Sequence, residues 1–114
     1  MTKQIIYQDN LGDVMFGDIV EKEFDIDDDI ISRFDYWSSS CGQCTTLSID
    51  EKRKKVTISI NTNLSGVSPG NVLHKYAYIY LDKNINHYIG DKNRKMTDNT
   101  EKQRITYILT GNVI

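Results

Sequence analysis

Apolar and polar residues alternate along most of this chain with a period of two, the mark of strands buried on one face. Val56-Thr57-Ile58-Ser59-Ile60-Asn61 alternates without a break. It predicts a strand with Val56, Ile58 and Ile60 turned together into a core. His74-Lys75-Tyr76-Ala77-Tyr78-Ile79-Tyr80-Leu81 is rich in aromatic and aliphatic strand formers and apolar on both faces near its end, which predicts a central strand. Arg104-Ile105-Thr106-Tyr107-Ile108-Leu109-Thr110 is a third, closed by Gly111. Glu21 to Ile26 and Ile30 to Trp37 read as two more, with Lys3 to Tyr7 and Val14 to Phe16 as short edge strands. No window carries the apolar stripe of an amphipathic helix, and 91–103 reads as a long polar hairpin loop.

Turn signals fall between these runs, at Asn10-Leu11-Gly12-Asp13, Asp27-Asp28-Asp29 and Gly66-Val67-Ser68-Pro69-Gly70-Asn71. Short strands with regular turn punctuation predict an all-β fold, a sandwich or a barrel: a single domain over 1–114, of about seven antiparallel strands. At 114 residues the chain is long enough to bury a core without a staple. Its 39% hydrophobic and 26% charged residues are ordinary for a globular domain. No apolar run reaches the roughly 20 residues of a membrane helix, and no export signal is visible, so no membrane is expected and the Asn63-Leu64-Ser65 sequon carries no weight.

Charge changes the picture only in its placement. The net charge is −2, yet residues 1–50 hold 11 acids against 3 bases and residues 51–114 hold 5 acids against 11 bases. Strands from the two halves interleave in one reading, so that the charges mix. In the other the halves form an electrostatic dipole used in docking. The run Lys52-Arg53-Lys54-Lys55, with Lys92, Arg94 and Lys95 later, could contact phosphate, and the first four count as a candidate interaction surface. The run is short and no nucleic-acid motif accompanies it, so it reads first as solvated hairpin tips. Asp25 and Asp27 to Asp29 lack the glycine and distal glutamate of a calcium loop and read as a solvated acidic turn.

Both cysteines lie in Ser38-Ser39-Ser40-Cys41-Gly42-Gln43-Cys44-Thr45-Thr46. A thioredoxin-like dithiol needs a helix beginning at its first cysteine, to lower that thiol's pKa. The β-leaning residues Thr45 to Asp50 leave no room for one. A zinc site needs two further ligands, and His74 and His87 do not have the spacing of a zinc finger. Cys41, Gly42 and Cys44 are therefore expected to form a structural turn, with the thiols reduced and unreactive.

The chain has seven tyrosines, and Tyr76, Tyr78 and Tyr80 share one face of one strand. Ala77, Ile79 and Leu81 make the better core face, so the tyrosines are expected outside, as a contact surface. Trp37 is expected to plug the core.

Phe16-Gly17-Asp18-Ile19, Ser40 to Thr45, Val56 to Asn61, Gly66, Lys75 to Leu81 and Ile105 to Val113 follow one another in an order that resembles a family of bacterial and phage immunoglobulin-like domains, akin to the Hydin/ASH-type sandwiches. That family usually has Cys-Gly-Cys-Thr where Gln43 is inserted here. The resemblance implies an immunoglobulin-like sandwich and no established activity. It implies a non-enzymatic structural module on a phage particle (head decoration, neck or tail), bound to other protein subunits, without cofactor or small-molecule substrate. The Lys-, Asn- and Ile-rich composition agrees with that setting. The alternatives are a cytoplasmic adaptor that binds proteins by strand addition or through its tyrosines, and a dithiol oxidoreductase using Cys41 and Cys44.

Overall fold

The computed structural model describes residues 4–81 and 103–114. Of the features read from the sequence, His87, Lys92, Arg94, Lys95 and all but the last residue of the 91–103 loop lie outside them. Seven strands occur among the described residues: β1 (Gln4–Val14), β2 (Ile19–Asp25), β3 (Phe34–Ser39), β4 (Thr45–Asp50), β5 (Lys55–Asn61), β6 (Val72–Leu81) and β7 (Gln103–Val113). They form two sheets, in the orders β1-β7-β6-β3 and β2-β5-β4. The fold is an all-β sandwich, and β6 is an interior strand as the sequence predicts. Strands β2 to β7 divide three against three, β2-β5-β4 facing β7-β6-β3. β1 is added beside β7.

The core sits where period-two burial places it. Val56, Ile58 and Ile60 of β5 are fully buried and meet Ile79, Ile105 and Leu109 from the opposite sheet. Tyr107 joins them, its ring stacked 5.4 Å from Tyr7 and tilted against Phe24 at 4.8 Å. Each fully buried branched side chain contributes about 1.5–3 kcal/mol, enough to fix which face of each strand turns inward.

Four expectations are corrected. First, β1 runs parallel to β7, so the sandwich is mixed and not wholly antiparallel. No short turn links these two strands, and nothing forces them to run in opposite directions. Second, β1 continues through Asn10 to Asp13, which is a bulge and not a turn between strands, so Val14 to Phe16 is not a strand of its own. Gly12 takes a φ of 75° there, and its N–H donates to Asn10 Oδ1 at 2.7 Å. Third, Asp28–Arg33 is a short helix, α1, and the expected strand from Ile30 starts only at Phe34. Asp27 caps the helix by accepting the Ile30 N–H at 3.0 Å, and Asp28 and Asp29 lie in its first turn, where carboxylates are favourable. The acidic run is thus a helix start. Fourth, Trp37 does not plug the core. It lies on an edge strand with 37% of its surface exposed.

β3 is also bulged. Phe34 pairs with Leu81 and Tyr36 with Tyr80, which leaves Asp35 as an extra residue. The extra residue reverses the alternation. Phe34 and Trp37 both turn toward the inside of the sandwich, like their partners Leu81 and Ile79, while Tyr36 turns outward beside Tyr80.

Candidate interaction surfaces and the cysteine turn

The two outer faces of the sandwich differ in chemistry. Glu21, Glu23 and Asp25 of β2, Lys55 of β5 and Asp50 of β4 stud the outside of the three-stranded sheet. Among the described residues, the outside of the four-stranded sheet carries few formally charged side chains: Arg104, Asp13 beyond the Gly12 bulge, and the exposed bulge residue Asp35 at the β3 edge. In their place stands a row of aromatic rings. His74 and Tyr76 are stacked at 5.0 Å, Tyr76 and Tyr78 at 6.2 Å, and Tyr78 and Tyr80 follow at 6.3 Å. Tyr36 continues the row from β3, stacked on Tyr80 at 4.5 Å with 17° between the planes. The Arg104 guanidinium sits 5.1 Å from the centre of the Tyr78 ring, within cation–π range.

The row follows from strand geometry. Side chains at i and i+2 share a face, so three alternating tyrosines make a continuous strip. Ala77, Ile79 and Leu81 between them are buried, as the sequence predicts. Tyr76, Tyr78 and Tyr80 remain half-buried, and their hydroxyls, with that of Tyr36, make no hydrogen bond within the described chain. Tyr36 and Arg104 were not foreseen as members. Their positions depend on a bulge and on strand register, which composition does not reveal.

Lys52, Arg53, Lys54 and Lys55 lie at the β4–β5 hairpin. Arg53 makes a two-pronged contact with Glu23, both distances 3.1 Å, and Glu23 raises its already high pKa. Lys54 pairs with Asp28 at 3.3 Å and Lys55 with Asp25. Bases from the second half of the chain thus meet acids from the first, and at this hairpin the charges mix. Lys22 of β2 bridges to Asp9 of β1 at 2.9 Å and holds that carboxyl below its ordinary pKa, linking the two sheets.

Cys41 and Cys44 form the expected turn but are not reduced: they are joined by a disulfide. The Cys44 and Thr45 N–H groups both donate to the Cys41 carbonyl, which brings the two Cα atoms to 5.4 Å, within bridging range. The Ser39 hydroxyl lies 3.1 Å from the Cys41 carbonyl oxygen and 2.9 Å from that of Thr45. β4 begins at Thr45, so no helix starts at Cys41. The bonded sulfurs offer no thiolate to a metal. Among the described residues, no cluster of three His, Cys, Asp or Glu side chains is arranged to hold one. Among the same residues, no helix is long and apolar enough to cross a membrane.

A cleft of about 270 Å3 opens between β3 and β4. Ile31 of α1, Phe34 and Trp37 of β3, and Leu47 and Ile49 of β4 line it, with Glu51 at its rim. The Asp35 bulge makes it, by turning Phe34 and Trp37 to the same side. No sequence signal marked this cleft.

Comparison of the chain with protein-family models, with curated proteins and with solved structures returned no match.

Proposed function

We propose that this protein is a non-enzymatic interaction module that docks to other proteins through the outer face of its four-stranded sheet. The observation that carries this reading is the contrast between the two outer faces of one small sandwich. One is studded with acids and bases, as solvated faces are. The other presents Tyr36, Tyr76, Tyr78 and Tyr80 among few charges, with Arg104 over the row. Tyrosine and arginine are enriched where proteins meet, and charges are depleted at the centre of such contacts. Unpaired phenol hydroxyls add directional hydrogen bonds to the buried area. The hairpin bases belong to the solvated side, since three of the four already have acidic partners.

The setting we propose is a phage particle, where the partner is another structural subunit. It rests on the sequence resemblance and the Lys-, Asn- and Ile-rich composition. The adaptor reading shares the same docking face. The test for both is a photo-crosslinking side chain at position 78, compared with one at Thr57 on the opposite face, in the native source. Position 78 should join the chain to one defined protein while position 57 yields no defined product. Equal products from both positions contradict the docking face. A particle subunit as the captured protein supports the virion setting, and a cytosolic protein overturns it.

A further inference from the structure

The cleft between β3 and β4 lies at the open side of the sandwich, and among the described residues both strands that border it end their sheets. An unpaired edge presents a row of backbone N–H and C=O groups to any extended chain. The two edges are not equivalent. β3 is interrupted by its bulge at Asp35, a device that discourages pairing. β4 keeps unbroken register with β5 over all six residues from Thr45 to Asp50, and it carries no proline, no lysine and no bulge. It is anchored at its start by the disulfide turn and by the fully buried Thr45.

We infer that β4 accepts a strand from a partner protein: an extended segment with large apolar side chains at alternate positions and a Lys or Arg near one end. A strand added to β4 points every second side chain toward the cleft, because the sheet period is two. Those side chains meet Leu47 and Ile49 on one wall and Phe34 and Trp37 on the other, with Ile31 at the end. The cleft is smaller than the roughly 300–1,000 Å3 of a typical small-molecule pocket. It is open along one side, which suits side chains projecting from a backbone. Glu51 follows β4 directly, is exposed and has no ion pair within the described chain, so it is the acid that a base on the incoming strand meets. Its role is register and selectivity more than affinity. This site is separate from the tyrosine face and does not depend on it.

Trp37 is the chain's single tryptophan, so its fluorescence reports on this cleft alone. The full chain, immobilised, is used to select from a random library of twelve-residue peptides, and the winning peptide is then synthesised. In the free chain acrylamide should quench Trp37 readily. The peptide should shift its emission to the blue and shield it. N-methylating alternate amides of the peptide should weaken binding at least tenfold, since those groups pair with β4. Glu51→Lys should weaken a peptide bearing a base several-fold, and replacing that base by Glu should restore binding. Tyr76→Ser with Tyr80→Ser should leave the fluorescence titration unchanged. The inference is overturned if no peptide is selected, if selected peptides leave Trp37 unshifted, if N-methylation has no effect, or if Trp37 is already shielded in the free chain.

Discussion

Tyr36 stacks on Tyr80 across two strands, 4.5 Å between ring centres, only because Asp35 bulges out of the ladder between Phe34 and Tyr36. The bulge does two things. It adds a fourth tyrosine to the outer row, and it turns both Phe34 and Trp37 into the cleft on the other side. Deleting Asp35 should leave Phe34, Tyr36 and Trp37 in plain alternation against Leu81, Tyr80 and Ile79, so both surfaces should survive. Tryptophan emission and the ring-current shifts between Tyr36 and Tyr80 should be retained; a red shift with loss of the ring-current shifts would contradict Asp35 as the extra residue.

The core should respond as a packed interior. Ile58 is fully buried, and its neighbours are held in two sheets. Ile58→Ala is expected to cost about 2–5 kcal/mol. Ile19→Ala, at a position 62% exposed, should change stability little by comparison. Urea unfolding of both variants checks this, read as a shift in midpoint without a change in slope.

Tyr107 is buried with its hydroxyl unpartnered, and burial, with a smaller contribution from Tyr7, pushes its pKa well above the ordinary value. A folded-state pKa above the unfolded one means that this contribution to stability is fully present below about pH 10. It is lost as pH rises beyond that toward the folded value. Tyr107→Phe removes both the ionisation and a buried group without a partner. It is expected to be neutral or to stabilise by about 1 kcal/mol at pH 7, and to move the alkaline unfolding midpoint upward. Thermal melts between pH 7 and 11 measure it; a large loss at pH 7 would show that the hydroxyl has a partner.

The disulfide closes a very short loop, and its loss should be modest. The chain-entropy relation for a loop of four residues gives about 2 kcal/mol. Cys41→Ser with Cys44→Ser, or reduction by dithiothreitol, should lower the unfolding free energy by that amount, read from urea unfolding. The two-dimensional amide spectrum should stay dispersed, because Ser39 and the Cys41 carbonyl still hold the turn. Collapse of the spectrum would show that the bridge and not the turn fixes this corner.

The strands that carry the core were legible because period-two burial is written directly into Val56–Asn61 and Lys75–Leu81. So was the outward placement of Tyr76, Tyr78 and Tyr80, since the alternating residues are better buried. Helix α1 was hidden by its length: six residues with β-branched Ile30 and Ile31 resemble a strand, and only the Asp27 cap marked the start. The direction of β1 was hidden because pairing between strands at opposite ends of the chain leaves no local signal. The cleft depends on a single bulged residue in a run that otherwise alternates, and nothing in Phe34-Asp35-Tyr36-Trp37 says which residue stands out of register. The disulfide was misjudged because the expectation came from the compartment and not from the turn.

The docking face is tested most directly by tyrosine modification in the native assembly and in the isolated chain. Mild iodination, read by mass spectrometry, is compared at each tyrosine, with acetylation of Lys52 as the control on the charged side. In the isolated chain Tyr36, Tyr76, Tyr78 and Tyr80 should all react. In the assembly those four should be protected several-fold while Lys52 reacts as before. Equal reaction of the four tyrosines in both states, or protection of Lys52 instead, would contradict an interaction module that works through this face.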